Sequence, residues 1–392
     1  MLKGKTVILG VTGGIAAYKS AYLARLLMKH GADVEVIMTK NAANFISPLT
    51  FETLTGNRCI TDSFARDFKY DVKHIALAKR ADVLLIAPAT ANVIAKISHG
   101  IADDMLTATA LSCGMNCTAV APAMNERMYN NPITQENIKH LTEFGCTVIT
   151  PARGLLACGD YAIGALPPED FIIEHVIHIC FNKDMQGKKV LVTAGATAEP
   201  LDPVRFLTNR STGKMGCAVA RAAMLRGADV TLIAGKMSVP PPYFVNVINV
   251  ETAAEMFETV KNCFKDYDII IKAAAVSDYR PVQVSKQKIK SGSDMINIEM
   301  TKNADILEYI GKNKQPGQFI CGFSMETENL TENSRLKLIN KNADMIVANS
   351  LTTEGAGFAE DTNIVTVITQ NGNIKLPKMP KFEVAMEILR LI

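Results

Sequence analysis

The amino-acid sequence predicts an α/β protein built from two Rossmann-like, three-layer domains. Its 392 residues exceed what one hydrophobic core usually supports, since single cores stop growing at ~250 to 300 residues. One local pattern also occurs twice: a strand, a glycine-containing turn, a helix and a second strand. Elsewhere, apolar strand-like runs alternate with helical stretches, which is typical of parallel sheets covered by helices.

The first copy of this pattern begins at the N-terminus. A strand over residues 4–9 leads into a turn that contains Gly13 and Gly14, and a helix is predicted over 15–30. Gly31 follows that helix, and glycine commonly ends helices because it adopts the left-handed conformation without strain. Residues 32–38 then form the second, parallel strand.

The second copy has a strand over 187–192, a turn over 193–197, a helix that ends at Gly227 and a strand over 228–233. Gly187 and Gly227 are 40 residues apart, whereas Gly4 and Gly31 are 27 apart. The 13 extra residues fall in 198–215, between strand and helix, where parallel sheets bind phosphate-bearing ligands. Neither turn is a strict GxGxxG, so the turns alone indicate only that phosphates could dock.

The polar stretch 182–186 is predicted to separate the domains, giving a first domain over 1–183 and a second over 187–392. A short apolar helix over 171–181 precedes this boundary. Further strands are expected at 83–87, 118–121, 268–273, 345–348 and 365–369.

Composition excludes several classes of protein. Apolar residues make up 48% of the chain, which is incompatible with general disorder, and 42 basic against 39 acidic residues leave a net charge of only +3. A general nucleic-acid binder would have a larger basic excess.

No apolar run is long enough for a membrane span and no secretory signal is recognisable, so we expect a cytoplasmic protein. Nine scattered cysteines suit reduced thiols, and no metal-ligand set is recognisable.

The first domain carries five short motifs in a fixed order. They are Gly13 to Lys19, His74 in Asp71 to Ala78, Ala87 to Asn92, the PxMNxxM motif at Pro122 to Met128, and Cys158 in an Ala-Cys-Gly flap. In these motifs the first domain resembles the flavin-dependent cysteine decarboxylases of the phosphopantothenoylcysteine type. The resemblance implies a homo-oligomeric, flavodoxin-like fold.

The resemblance also implies residue roles. His74 assists oxidation of the substrate as base or positioning group, Asn125 hydrogen-bonds the substrate carboxylate, and Cys158 supplies a proton. FMN oxidises the CH2–SH group to a thioaldehyde, which makes loss of carbon dioxide possible. The residues implied to bind FMN are Gly14, Ile15, Ala16, Thr39, Thr90 and Asn92. The flap departs from the family at Ala162 and Ala165, where Gly and Arg are usual, and Tyr129 replaces a common Trp.

The second domain carries its own ordered motifs. Its insertion offers polar groups for an anion, namely Arg205, Asn209, Arg210, Ser211 and Lys214. Further motifs are Ala273 to Arg280, Lys286 to Lys290, Lys302 to Leu307, Gly322-Phe323, Gly357-Phe358 and Asp361 to Asn363. With these motifs, residues 187–392 resemble phosphopantothenate–cysteine ligase, and the whole chain resembles the bacterial bifunctional proteins of coenzyme A biosynthesis.

That resemblance implies a ligase that activates 4'-phosphopantothenate with CTP and Mg2+. Asn209 would hold the acyl-cytidylate and Lys288 would serve the charged chemistry. The residues implied to bind CTP are Asp278, Lys288, Ala304, Asp305, Ile306, Leu307, Phe323, Lys337 and Lys341. In an extended segment Lys286, Lys288 and Lys290 would point to one side, and Lys337 and Lys341 would share a helix face.

The implied partners are small molecules, namely 4'-phosphopantothenate, cysteine and CTP, together with further copies of the chain. Trimeric decarboxylase units and dimeric ligase units are implied, and a dodecamer would satisfy both. Two other functions compete with this hypothesis: decarboxylation of a peptide's C-terminal cysteine, and regulation of a partner protein by a non-catalytic flavoprotein. The ligase half argues against the first, and the presence of His74 and Cys158 argues against the second.

Overall fold

A computed structural model of the full chain describes residues 1–62, 73–290, 296–326, 328–350 and 360–392. The chain divides into two compact units, Met1–Phe181 and Asn182–Ile392. Two parts of the predicted motifs, Asp71-Val72 and Gly357-Phe358, lie outside the described residues. Within the described ranges, no helix is long and apolar enough to cross a membrane.

The first unit is an α/β domain. In chain order its elements are β1 Thr6–Val11, α1 Ala17–Lys29, β2 Asp33–Met38, α2 Pro48–Thr55, α3 Lys73–Arg80, β3 Val83–Ala89, α4 Ala91–Ser98, α5 Met105–Ser112, β4 Thr118–Pro122, α6 Glu126–Tyr129, α7 Pro132–Glu143, β5 Thr147–Val148, β6 Ala152–Leu155, β7 Tyr161–Ala165 and α8 Glu169–Cys180.

Five of these strands form a parallel sheet in the order β2-β1-β3-β4-β5. Strand β3 is buried along its whole length, and this explains its uninterrupted apolar run. The strand order reverses between β1 and β3, and ligands of such sheets bind outside the carboxyl ends of the strands at that point. Strands β6 and β7 form a separate antiparallel hairpin.

The second unit is also α/β. Its elements are β8 Lys189–Ala194, β9 Ala198–Pro200, β10 Phe206–Thr208, α9 Lys214–Leu225, β11 Asp229–Ala234, β12 Asn246–Asn249, α10 Ala253–Cys263, β13 Ile269–Lys272, β14 Tyr279–Pro281, β15 Met300–Lys302, α11 Ile306–Lys312, β16 Phe319–Glu326, α12 Leu330–Asn340, β17 Met345–Ser350, β18 Thr362–Thr369, β19 Gly372–Pro380 and α13 Lys381–Arg390.

Eight strands form its main sheet, in the order β12-β11-β8-β13-β16-β17-β18-β19. The strands from β12 to β17 are parallel, and β18 and β19 extend the sheet with antiparallel pairs. The order reverses between β8 and β13. A core of Ile270, Ile306, Ile320, Leu338 and Ile346 joins one face of the sheet to α11 and α12.

These findings confirm the predicted fold class of two Rossmann-like α/β domains. Both openings contain parallel strands joined through a helix, β1-α1-β2 and β8-α9-β11. The predicted insertion contains the antiparallel pair β9–β10, followed by the start of α9. Gly216 in α9 lies so close to β8 that a Cβ would come within 2.5 Å of Ala194 Cβ, so the helix start is held against the carboxyl end of that strand.

Candidate functional site

A cavity of about 540 Å3 lies at the carboxyl edge of the first domain's sheet. It combines the turn after β1, the loop after β4 and the β6–β7 hairpin. The residues that line it are Gly14, Ile15, Ala16, Tyr18, Lys19, Ala123, Met124, Asn125, Leu155, Leu156, Ala157, Cys158, Gly164, Ala165 and Leu166. Five of the predicted site residues, Gly14, Ile15, Ala16, Asn125 and Cys158, therefore line one cavity.

Asn125 is held by the loop that follows β4. The Met124 N–H donates to Gly164 O at 3.0 Å, which joins this loop to the β6–β7 hairpin. Gly164 has φ +131, and a Cβ there would overlap the Met124 carbonyl oxygen, so the close approach requires glycine. Asn125 Oδ1 accepts from the Arg127 N–H at 2.9 Å and caps α6, which leaves the amide Nδ2 available to the cavity.

Cys158 lies in the turn of the β6–β7 hairpin. Leu156 donates to Asp160 O at 2.8 Å and Gly159 donates to Leu156 O at 2.9 Å, with Gly159 at φ +90. This turn brings the Cys158 sulfur within 3.4 Å of Asn125 Nδ2, which donates to it, while the thiol donates to Asp160 Oδ2 at 3.3 Å. The cavity thus holds a side-chain amide and a thiol in contact with each other.

The other predicted flavin residues surround the same sheet edge without lining this cavity. Thr90, directly after β3, donates its N–H to Thr12 Oγ1 at 3.0 Å, and its methyl carbon would lie 3.6 Å from a Cβ on Gly14. Thr39 directly follows β2, and its N–H donates to Val11 O at 3.0 Å. Asn92 is exposed on the first turn of α4.

His74 is in the first turn of α3 and is half-buried. It is not among the residues that line the cavity. Both substituted flap positions lie on β7: Ala162 is buried, and Ala165 lines the cavity, with its Cβ 3.6 Å from where a Cβ on Gly154 would be. Small side chains at these two positions are therefore compatible with the packing of the β6–β7 hairpin.

In the second domain, Asn209 directly follows β10 and is exposed. Its Nδ2 donates to Ala275 O at 3.1 Å, which places Asn209 beside the segment after β13. Thr208 Oγ1 donates to Thr197 O at 2.7 Å and fixes the same end of the hairpin. The predicted insertion therefore lies next to the carboxyl ends of β8 and β13, where the strand order reverses.

Two cations of the predicted anion-binding set already have partners. Lys214 pairs with Asp361 at 2.6 Å, and Arg205 donates to Ile289 O at 2.9 Å and to Asp202 at 3.4 Å. Arg205 thus connects the β9–β10 loop to the lysine segment that contains Lys288.

The lysine segment is not extended, so the prediction that Lys286, Lys288 and Lys290 point to one side is wrong. A turn forms at Ser285, whose Oγ donates to Gln287 O at 2.6 Å. Asp202 fixes the far end by accepting the Ile289 N–H at 3.0 Å, and this bond, with those from Val204 and Arg205, lowers the pKa of Asp202. Sequence reasoning gave Asp202 no role, although its position in Leu-Asp-Pro is typical of a turn.

Lys288 is exposed, and its segment is bound to Asp202 in the loop between β9 and β10. Asn209 follows β10 and therefore lies at the opposite, open end of the β9–β10 hairpin. The structure therefore does not bring these two predicted catalytic residues into contact.

The predicted nucleotide residues of α11 and α12 do come together. Lys341 directly follows α12 and pairs with Glu308 at 2.6 Å and with Asp305 at 3.0 Å. The hydrogen bond to Glu308, opposed by partial burial and reinforced by Asp305, raises the pKa of Lys341. Hydrogen bonds from Lys312 and Lys341 lower the pKa of Glu308 to about 2, so the cluster is ionised at neutral pH. Lys337 lies one turn before Lys341 and is half-buried.

The neighbouring predicted residues differ in their surroundings. Ile306 and Leu307 are buried in the core, so their side chains pack against the sheet, whereas Ala304 is exposed. Asp278 is exposed after β13, and its carbonyl accepts the Asn303 N–H at 2.8 Å. Phe323 is half-buried in the middle of β16 and alternates with Gly322, so the two residues face opposite sides of the sheet.

Sequence reasoning missed Lys272, the last residue of β13. Burial and, to a smaller extent, the charge of Lys337 lower the pKa of this half-buried lysine to about 8, although Asp305 and Asp278 oppose the shift. The sequence signal that could have identified Lys272 is its position directly after the apolar run Ile269 to Ile271. Among the described residues, no group of three or more His, Cys, Asp or Glu could hold a metal ion.

Comparison with known proteins matches both domains to families. The "Flavoprotein" family model covers residues 1–180, and the "DNA/pantothenate metabolism flavoprotein C-terminal domain" model covers 185–392. The chain is 43% identical to the coenzyme A biosynthesis bifunctional protein CoaBC of Vibrio vulnificus, over 100% of this chain and 98% of that protein. It is likewise 43% identical to the CoaBC protein of Bacillus subtilis, over 100% of this chain and 97% of that one.

Among solved structures, the C-terminal domain of a CoaBC protein is 42% identical. The matched region spans 54% of this chain and 96% of that domain, with a TM-score of 0.46.

Proposed function

This chain belongs to the family of coenzyme A biosynthesis bifunctional proteins CoaBC, and from this premise we propose how its residues divide the two reactions. It is a bifunctional enzyme of coenzyme A biosynthesis, with a phosphopantothenoylcysteine decarboxylase activity and a ligase activity. We assign the decarboxylase to residues 1–183 and the ligase to residues 187–392. The ligase makes 4'-phosphopantothenoylcysteine, and the decarboxylase converts it to 4'-phosphopantetheine.

FMN is the proposed cofactor of the first domain. The cavity fits a flavin in three respects: it lies where the strand order reverses, its walls are mainly apolar, and Gly14 lets a ligand approach the backbone. Gly14, Ile15, Ala16, Thr39, Thr90 and Asn92 would hold it. When bound, the flavin supplies oxidation of the substrate's CH2–SH group to a thioaldehyde and later returns the two electrons.

The observation that carries the decarboxylase assignment is the contact between Asn125 Nδ2 and Cys158 Sγ in one cavity. Asn125 orients the substrate carboxylate by hydrogen bonding, without the full ion pair that would stabilise the charge to be lost. Loss of carbon dioxide leaves an enethiolate, and the Cys158 thiol donates a proton to its carbon when the double bond is reduced. His74 acts as base or positioning group in the initial oxidation.

The proposed ligase reaction uses CTP. The carboxylate of 4'-phosphopantothenate attacks the α-phosphate, pyrophosphate leaves, and the cysteine amine then displaces CMP from the acyl-cytidylate. Asn209 holds the acyl-cytidylate and Lys288 stabilises its negative charge. Support comes from the position of Asn209 beside the segment after β13, and from Lys337, whose charge acts on Lys272 at the end of that strand.

The CTP-binding residues are proposed to be Asp278, Lys288, Ala304, Asp305, Ile306, Leu307, Phe323, Lys337 and Lys341. Because Ile306 and Leu307 are buried, they act through their backbone groups. Mg2+ is proposed to accompany the triphosphate and the departing pyrophosphate, since phosphates themselves supply much of its oxygen coordination.

We also propose that the protein is cytoplasmic and forms a homo-oligomer. Its decarboxylase domains would form trimers and its ligase domains dimers, and a dodecamer would contain both kinds of contact. Exposed apolar side chains support self-association: Tyr18 and Tyr22 lie one turn apart on α1, and Leu155 lies at the cavity. Sedimentation of the full chain would test this assembly, and a monomer at working concentration would contradict it.

The overall function is tested by incubating the purified chain with 4'-phosphopantothenate, cysteine, Mg2+ and each nucleoside triphosphate in turn. We expect pyrophosphate and then carbon dioxide with CTP, and much less with ATP. A chain that binds FMN but releases neither product would contradict the assignment. Equal rates with ATP and CTP would contradict only the choice of nucleotide.

A further inference from the structure

Lys272 lies at the carboxyl end of a strand in the main sheet of the second domain. It ends β13 and pairs with Thr193 of β8, across the point where the strand order reverses. On its other side it pairs with Gly322 of β16. Paired residues project to the same face, and at Gly322 that face is filled by Leu307 and Ile346 instead of a side chain of β16.

The direction of Lys272 follows from the core. Ile270 is two residues earlier on the same strand and packs in the cluster with Ile306 of α11 and Leu338 of α12. Because side chains alternate along a strand, Lys272 points to the face that α11 and α12 cover. A Cβ on Gly322 would lie 2.7 Å from Leu307 Cδ2, which confirms that α11 covers this face.

The charged groups that act on Lys272 come from three elements. Lys337 projects from α12, Asp305 caps the start of α11, and Asp278 lies in the segment after β13. The paired residues Thr193 and Gly322 carry no charge. Among the described residues, no carboxylate lies at ion-pair distance from Lys272 or Lys337, because Asp305 pairs with Lys341 instead.

Two cations therefore repel each other where the strand order reverses, and in the part of the chain that the structure describes neither forms an ion pair with a carboxylate. This arrangement is unfavourable in the free protein, and an anion placed between the two ammonium groups would relieve it. We propose that the ammonium group of Lys272 binds a phosphate oxygen of the nucleotide, together with Lys337. This inference rests on the proposed nucleotide-dependent ligase function.

The affinity for the nucleotide then depends on pH. Burial and Lys337 place the pKa of Lys272 at about 8 in the free protein, and a bound phosphate would raise it. Below pH 8 the ammonium group is already present; above pH 8 the nucleotide must bind together with a proton. The KM for CTP should therefore rise between pH 7 and pH 9.

Three variants of the full chain test this proposal. We expect Lys272→Met to raise the KM for CTP about tenfold at pH 7, the effect of losing one charge-assisted hydrogen bond, with kcat little changed. Its KM should vary less between pH 7 and pH 9. Lys272→Arg keeps a charge that does not titrate, so its KM should stay near the wild-type value at pH 7 and remain low at pH 9. Lys375→Met, an exposed change on β19, is the control.

Two measurements separate a phosphate contact from a structural role. Inorganic tripolyphosphate should inhibit the wild-type ligase competitively with CTP, and about tenfold more weakly in Lys272→Met. Calorimetry of wild-type protein at pH 8.5, in buffers of different ionisation enthalpy, should show proton uptake with CTP.

An unchanged KM and unchanged tripolyphosphate inhibition in Lys272→Met would overturn the inference while leaving the ligase function intact. Changed selectivity among nucleotides with unchanged tripolyphosphate inhibition would likewise overturn it, since the contact would then be to the base. A wild-type chain without CTP-dependent pyrophosphate release would overturn the proposed function and this inference with it.

Discussion

Replacing Cys158 by serine should reduce formation of 4'-phosphopantetheine by at least about 100-fold, the usual contribution of a positioned general acid. Serine keeps the size of the side chain, but its hydroxyl is a far weaker acid than a thiol. Carbon dioxide should still be released from 4'-phosphopantothenoylcysteine, in an amount limited by the bound flavin, because the proton is needed only after decarboxylation. Mass spectrometry should detect the unsaturated, decarboxylated thiol that accumulates.

The control for this variant is Cys180→Ser, which changes a half-buried thiol on α8 that does not line the cavity. It should form product at nearly the wild-type rate. Full 4'-phosphopantetheine formation by Cys158→Ser would refute the proton-donor role. Loss of carbon dioxide release as well would show that the thiol acts earlier than proposed.

The second large effect is expected from Asn209→Ala. The change removes the amide that donates to Ala275 O and that we propose holds the acyl-cytidylate. We expect amide formation from 4'-phosphopantothenate and cysteine to fall by about 100-fold or more, the usual cost of losing a donor aimed at developing charge. Decarboxylation of supplied 4'-phosphopantothenoylcysteine should continue unchanged.

Asn371→Ala is the matched control, because Asn371 is an exposed asparagine in the turn between β18 and β19 of the same domain. It should leave both reactions unchanged. Thermal unfolding of both variants would show whether loss of the Ala275 contact weakens the domain. Equal loss of both activities in Asn209→Ala, without a change in stability, would contradict separate sites.

Much of the fold was predictable because local sequence signals were strong. Positive φ at Gly31 and Gly227 accompanies the ends of α1 and α9, where the sequence predicts glycine stops. The run over 83–87 is predicted as a strand, and β3 is buried throughout. The 286–290 segment was predicted wrongly because its alternating lysines fit a strand, whereas Asp202 and Ser285 hold it in a bent conformation through hydrogen bonds.

The sequence by itself determined the division into two α/β domains, the family and the identities of the candidate catalytic residues. These follow from periodicity, glycine positions and ordered motifs, which are properties of neighbouring residues. Only the tertiary structure decided that Cys158 contacts Asn125, that Lys341 is paired with Asp305 and Glu308, and that Lys272 lies near Lys337. The physical reason is that sheet order and helix packing bring together residues far apart in the chain, and only that proximity determines which charges are paired.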